Sequence, residues 1–269
     1  MKKRYFIYLT LFAIIGIIVY AFFIEPKRIV VHNYTIGNND GKKPVKIVQL
    51  SDIHIQEKYP VTQLEKIVTK VNNENPDIIV FTGDLFDNYA KYGPAEEVIA
   101  ALSRLKAPLG KYAVWGNHDY GGGAARVYPD ILAAADFQLL ENTGLNVSLP
   151  NEKSVYIGGL DDSMLGNSSI NDTLVDRQSE YTILLSHEPD KADDVLDHNV
   201  QLILSGHSHG GQIKLPFITI KNTLAEKYFT GFYDLANNTT LYVNTGLGTT
   251  KIPARFRVPP EIAVFDLYI

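Results

Sequence analysis

Val45-Lys46-Ile47-Val48-Gln49-Leu50-Ser51-Asp52-Ile53-His54 is an apolar run that ends in a polar string with a carboxylate and an imidazole two residues apart. Val45 to Leu50 has the aliphatic, β-branched character of a buried strand, and Ser51 to His54 stands where that strand would end. The arrangement recurs four times. Ile78-Ile79-Val80-Phe81 leads into Gly83-Asp84-Leu85-Phe86-Asp87, and Tyr112-Ala113-Val114-Trp115 into Gly116-Asn117-His118-Asp119. Thr182-Ile183-Leu184-Leu185 leads into Ser186-His187-Glu188, and Leu202-Ile203-Leu204 into Gly206-His207-Ser208-His209-Gly210. In an α/β architecture the carboxyl ends of neighbouring strands open onto one crevice, so five strings far apart in the chain are expected to meet there.

Only seven histidines occur in 269 residues, and five of them (His54, His118, His187, His207 and His209) fall inside these strings, leaving His32 and His198 outside. Imidazole, carboxylate and amide side chains are the donors that divalent transition ions take when no thiolate is offered, and this chain has no cysteine. Gly83, Gly116 and Gly206 immediately precede Asp84, Asn117 and His207, which suits a sharp turn with space for an ion. Ordinary strand-end turns explain the glycines equally well. They do not explain the histidines.

Helical patterns separate the early strands. Val61, Leu64, Ile67, Val68 and Val71 recur on one face after Pro60, and Val98, Leu102 and Leu105 after Pro94, which assigns them to core packing. Strands become denser after residue 136. The expected fold class is therefore α/β, with two packed mixed β-sheets flanked by helices.

The five strings, in this order, make the chain resemble the calcineurin-like metallophosphoesterases over roughly residues 45 to 269, with no substitution at a ligand position. The resemblance implies that Asp52, His54 and His209 hold one metal ion, that Asn117, His187 and His207 hold a second, and that Asp84 bridges them. It places His118 beside the scissile phosphate and has Asp119 orient that imidazole from behind, with Asp87 in support. The implied cofactors are two divalent ions, with Mn²⁺ or Fe ahead of Zn²⁺. Such ions about 3.5–4 Å apart generate hydroxide from bound water and clamp phosphate oxygens. A hydroxide between them would attack phosphorus while His118 serves the leaving group or the phosphoryl oxygen.

Residues 5–24 form an uncharged, mainly apolar stretch, and about 20 such residues span a bilayer. Lys2, Lys3 and Arg4 precede it, which favours a cytoplasmic tail at 1–4 and an extracytoplasmic domain. Bulky Tyr20-Ala21-Phe22-Phe23-Ile24 occupies the place where a signal peptidase needs small residues, so an uncleaved anchor is expected, followed by a connector and edge segment at 25–44 and a catalytic domain at 45–269. The net charge of −5 and the lack of a basic stripe argue against nucleic acid as a partner. The expected partners are a phosphoester substrate and the membrane, and nothing in the chain specifies an oligomeric state.

The anchor together with Pro253-Ala254-Arg255-Phe256-Arg257-Val258-Pro259-Pro260-Glu261-Ile262 looks like a membrane-anchored bacterial phosphodiesterase branch, similar to UDP-2,3-diacylglucosamine hydrolase-like proteins. An outward-facing domain would not meet a cytosolic sugar nucleotide, so that substrate is not carried over. A lipid or envelope phosphoester is the expected class, against a phosphatase that scavenges soluble nucleotides or sugar phosphates. A non-catalytic scaffold would have lost a ligand or His118, and all are present. The stretches 89–94, 120–123 and 255–257 are candidates for substrate contacts outside the metals.

Overall fold

Residues 2–216 and 221–269 are described by the computed structural model, with the side chains of Lys2 and Lys3 excepted. Met1, part of the expected tail, lies outside the described residues. Two six-stranded sheets carry the structure. The first takes β1 (Val30–Ile36), β2 (Val45–Leu50), β3 (Ile78–Phe81), β4 (Lys111–Ala113) and β5 (Gln138–Leu139). The second takes β6 (Thr143–Ser148), β7 (Ser154–Gly159), β8 (Tyr181–Leu185), β9 (Leu202–Ser205), β10 (Gly231–Asp234) and β11 (Thr240–Val243). The chain then returns to the first sheet as β12 (Glu261–Leu267), inserted between β1 and β2.

Both sheets are mixed. β2, β3, β4 and β5 run parallel, as do β11, β9, β8 and β7, while β12 is antiparallel to β2 and β6 to β7. The central parallel strands are mainly apolar because both faces are covered, β3 (IIVF) wholly so. In β2, Ile47 packs between the sheets with Val80, Ile183, Leu202 and Phe265, whereas Val48 and Leu50 face the helical layer. A one-residue slip of β2 would exchange these two sets.

Besides the N-terminal helix α1 (Lys2–Val19), the described α-helices are α2 (Val61–Asn73), α3 (Ala95–Leu102), the short α4 (Asn117–Gly121), α5 (Tyr128–Ala134) and the single turn α6 (Ile170–Thr173). Leu64, Ile67, Val68 and Val71 of α2 and Val98 and Leu102 of α3 are buried against the first sheet, as the spacing requires, and Leu105 is buried just beyond the end of α3.

Arg4–Lys27 is the single described helical stretch long and apolar enough to cross a membrane, with a mean hydropathy of 2.6 and 6% of its most apolar window buried. α1 stands exposed and passes through a wider turn, Tyr20–Ile24, into the domain. Its base is docked rather than dangling. The Ala21 carbonyl accepts from Arg255 N–H at 2.9 Å, and Glu25 Oε1 accepts from Val258 N–H at 2.7 Å. β1 follows at once and pairs with β12 as the sheet edge.

Candidate metal centre

All five strings lie at the carboxyl ends of β2, β3, β4, β8 and β9, and the structure brings their seven metal-type side chains together. Around Asp52, His54 and His209, the Nε2 atoms of His54 and His209 face each other at 3.0 Å, with Asp52 Oδ1 3.4 Å from His209 Nε2. Around His187, its Nε2 lies 3.2 Å from His207 Nδ1 and 3.3 Å from Asn117 Oδ1. Asp84 Oδ2 stands between the two groups, 3.3 Å from His54 Nε2 and 3.3 Å from His187 Nε2.

Lone-pair donors crowded this closely in a buried place need positive charge between them. The outward nitrogens are already engaged: His187 Nδ1 meets the Thr82 carbonyl at 2.7 Å and His207 Nε2 the Thr223 carbonyl at 2.8 Å. Each ring is thereby turned so that its other nitrogen faces inward, the orientation that outer partners impose on ligating imidazoles. The His and Asp clusters are suited to two divalent ions, so the residues fit the group.

The backbone is bent to achieve this. Asp52, His54, Asp84, His207 and His209 all have φ between 47° and 66°, a left-handed region that costs a non-glycine residue about 1–3 kcal/mol. Five such residues at one place mark a site whose geometry is imposed by its surroundings. Asp52 N–H donates to the Gly83 carbonyl and His54 N–H to the Asp84 carbonyl, holding neighbouring loops together. Gly83 turns at φ +91°, as expected. Gly116 is needed for a different reason: a Cβ there would lie 2.3 Å from Asp84 Oδ1.

Burial opposes ionisation of Asp84, but the rings of His187, His54 and His118 outweigh it and hold the carboxyl well below the usual range. Burial likewise works against a charged His187, and Asp84 raises its pKa well above the ordinary value. His209 is pushed well down by burial, with His54 and Arg255 adding to the effect, and His207 is lowered by burial and His187. Their lone pairs stay available to a cation. His118 moves the other way: burial is overcome by Asp84 and by the Asp87 carbonyl, so its pKa rises.

Asp119 departs from expectation. It does not orient the His118 imidazole. Its Oδ2 accepts from the N–H groups of Asp84 (2.9 Å) and Gly116 (3.0 Å), and its Oδ1 accepts from Leu85 N–H at 3.0 Å. The residue that holds His118 is Asp87, whose carbonyl meets His118 Nδ1 at 2.7 Å. Asp119, in the first turn of α4, reaches back to the unpaired Gly116 N–H at the helix start and across to the Asp84 and Leu85 N–H groups of the loop after β3, and so clamps the Asp84 turn.

A cleft of about 240 Å³ opens over Asp84, Asn117, His118, His207 and His209, with Lys221, Asn222, Thr250 and Lys251 on its walls. Of the stretches expected to touch substrate, 89–94 contributes Lys91 and 120–123 contributes Gly121 and Gly122 to an adjoining cleft beside His118. Arg255 does not contribute. It is wholly buried, donates to the carbonyls of Gly248, Val258 and Thr245, and comes within 3.5 Å of His209 Nδ1. Thr250, Lys251 and Asn222 carried no signal in the sequence, since polar loop residues look alike until the fold places them.

Glu188, next to His187, is buried against Asp162, and its Oε2 accepts from Ser163 N–H at 3.1 Å. Burial, reinforced by Asp162, raises its pKa from 4.5 to about 8. A carboxyl raised on folding contributes stability that is complete below its unfolded pKa and lost as pH rises through the folded one. The metal-free protein is therefore expected to lose melting temperature as pH climbs from about 4.5 through about 8, and Glu188→Gln to flatten that slope. An unchanged slope in the variant would remove Glu188 as its cause.

The chain matches the calcineurin-like phosphoesterase family over residues 45–211. It is 41% identical over 255 residues to YkuE, an uncharacterized metallophosphoesterase of Bacillus subtilis, across 92% of this chain and 88% of that one. It is 31% identical over 275 residues to the UDP-2,3-diacylglucosamine pyrophosphatase LpxG of Chlamydia trachomatis, across 82% of each. Among solved structures, a dimetal phosphatase from Danio rerio shares the fold with a TM-score of 0.54 at 14% identity, across 84% of this chain and 93% of that one.

Proposed function

Because the chain belongs to the calcineurin-like phosphoesterase family, and so is a phosphoester hydrolase, we propose that it is a membrane-anchored phosphodiesterase that hydrolyses a lipid or envelope phosphoester with two divalent ions. The observation that carries this reading is Asp84 Oδ2, equally distant from His54 Nε2 and His187 Nε2. Asp52, His54 and His209 are assigned to one ion, Asn117, His187 and His207 to the other, and Asp84 to both. These residues would hold the ions, Mn²⁺ or Fe in preference to Zn²⁺, and the chemistry supplied there when bound would be activation of water and neutralisation of phosphate oxygens.

The chain's own groups supply the rest. The His118 ring faces the Asp87 carbonyl through Nδ1, which leaves Nε2 to serve the departing alkoxide or the phosphoryl oxygen. Asp119 fixes the turn that aims Asp84. Lys221 and Lys251 at the cleft attract an anionic ester.

Residues 5–24 are assigned as the retained anchor, 1–4 as a cytoplasmic tail, 25–44 as connector and edge strand, and 45–269 as the extracytoplasmic catalytic domain. The relatedness to LpxG, whose substrate is a diacylated sugar nucleotide by its name, supports an acylated phosphoester as the class, though not that nucleotide.

The test uses the full chain in detergent, stripped of metal, refilled with Mn²⁺ and offered a chromogenic phosphodiester or its monoester, with and without chelator. Diester cleavage abolished by chelator is expected. Cleavage of the monoester alone would make the protein a phosphatase and favour soluble substrates. Cleavage of neither by protein carrying two ions would overturn the proposed reaction.

A further inference from the structure

We infer that the mouth of the metal centre is seated on the bilayer surface, with the paired loops 212–216 and 250–258 lying in the lipid headgroup layer at the base of the anchor. This rests on the reading of residues 5–24 as a retained membrane span.

The apolar run ends at Ile24, and Ala21 sits in the last, wider turn of that run. The Ala21 carbonyl accepts from Arg255 N–H at 2.9 Å. The backbone of residue 255 is thereby held at the boundary itself rather than at the end of a tether. Two further contacts prevent the loop from swinging away: Glu25 Oε1 accepts from Val258 N–H at 2.7 Å, and the rings of Tyr20 and Phe256 meet edge to face at 6.4 Å.

The second loop is joined to the first. The Gln212 side chain donates to the Thr250 carbonyl and accepts from Thr250 N–H, both at 2.9 Å, and Lys214 N–H donates to the Phe256 carbonyl at 2.9 Å. Leu215 and Ile252 stand on these loops 43% and 45% exposed, beside the exposed cations Lys214, Lys251 and Arg257. A single exposed apolar residue means nothing by itself. Two of them at the base of a membrane helix, with cations among them, match the chemistry of an interface of buried acyl carbons and phosphate headgroups.

Lys251 also lines the cleft over Asp84 and His118. It is four residues from Arg255, a reach of at most about 15 Å at 3.8 Å per residue. The headgroup layer on each side is about 5–7 Å thick, so Lys251 at the cleft lies within about two to three such thicknesses of the hydrocarbon edge. An ester whose phosphate lies among the headgroups reaches the cleft without leaving the leaflet.

The chain has no cysteine, so single-cysteine variants can be labelled without background. Leu215→Cys, Ile252→Cys, Phe12→Cys in the anchor and Val175→Cys would each carry an environment-sensitive fluorophore in the full chain, placed in phosphatidylethanolamine/phosphatidylglycerol nanodiscs. Val175 is 75% exposed and precedes β8, at the end of that strand opposite His187. Quenching by spin-labelled phospholipid is compared with quenching by aqueous iodide, and chelator-sensitive turnover checks that each variant is folded. The labels at 215 and 252 are expected to lose iodide quenching and gain lipid quenching relative to 175. If both instead behave as 175 does while the label at 12 is quenched by lipid, the anchor stands and the seating is overturned. If the label at 12 escapes lipid quenching, the anchor reading fails and the seating with it.

Discussion

Replacing Asp84 with Ala is expected to abolish turnover and to leave the protein with at most one tightly held ion. Its Oδ2 is the atom within 3.3 Å of a ring nitrogen on each side of the centre, and its Oδ1 accepts from His118 N–H at 2.8 Å. One substitution thus removes the shared anion and loosens the helix start that carries His118. Partners one shell removed from a metal already change affinity or activity about 10–100-fold, so loss of a shared ligand should exceed 100-fold. Asp84→Asn is the control for packing. It keeps the volume and an acceptor for His118 N–H but removes the charge between the imidazoles, and its activity should fall nearly as far while the fold survives. Metal content by plasma mass spectrometry, read beside the rate, decides the matter. Two ions and full activity in Asp84→Ala would end the two-ion reading.

His118→Asn is expected to lower kcat by about 10²–10⁴, the range for a positioned proton donor, while ion content stays near that of the wild type. The imidazole is held through Nδ1 by the Asp87 carbonyl rather than by either cluster, so its removal spares the ligands. The pH profile separates this role from a structural one. In the metal-free protein His118 is raised above its ordinary pKa because Asp84 and the Asp87 carbonyl outweigh burial; in the loaded enzyme the profile itself reads the value. A group that must be protonated to act loses activity as pH rises through its pKa, so the alkaline limb of the wild-type kcat/KM profile should vanish in the variant. An ester with a good leaving group should be least affected if the proton goes to the departing oxygen. A uniform loss across leaving groups would assign the proton to the phosphoryl oxygen instead. Loss of both ions in His118→Asn would refute its separation from the metal set.

The strands and the ligand-bearing turns were legible because each is a local pattern. An apolar run buried on both faces looks the same in sequence as in the sheet, and Val45 to His54 occupies the strand and turn expected of it. The helices α2 and α3 were legible for the same reason, through their 3.6-residue period. Residue chemistry also survives without coordinates: five of seven histidines in four of the five strand-end strings require a common explanation whatever the fold.

Asp119 shows where local reasoning stops. A carboxylate next to a histidine suggests a partner for the ring, yet the bend at the start of α4 turns it onto the N–H groups of Asp84, Leu85 and Gly116. Arg255 shows the same limit. In sequence it is one of two arginines in a Pro-rich stretch near the C-terminus, and in the structure it is a buried cation spanning from the base of the N-terminal helix to His209. Sequence by itself determined the layer architecture, the apolar N-terminal helix, and which side chains carry the donor chemistry of metal ligands, since these depend on periodicity and on residue type. Tertiary structure alone decided which atom of Asp84 stands between the two clusters, which group holds His118, and that the N-terminal helix is docked on the loop that carries Lys251 to the cleft. Those facts depend on how turns up to 155 residues apart meet, as His54 and His209 do, and no local pattern encodes a distance across the fold.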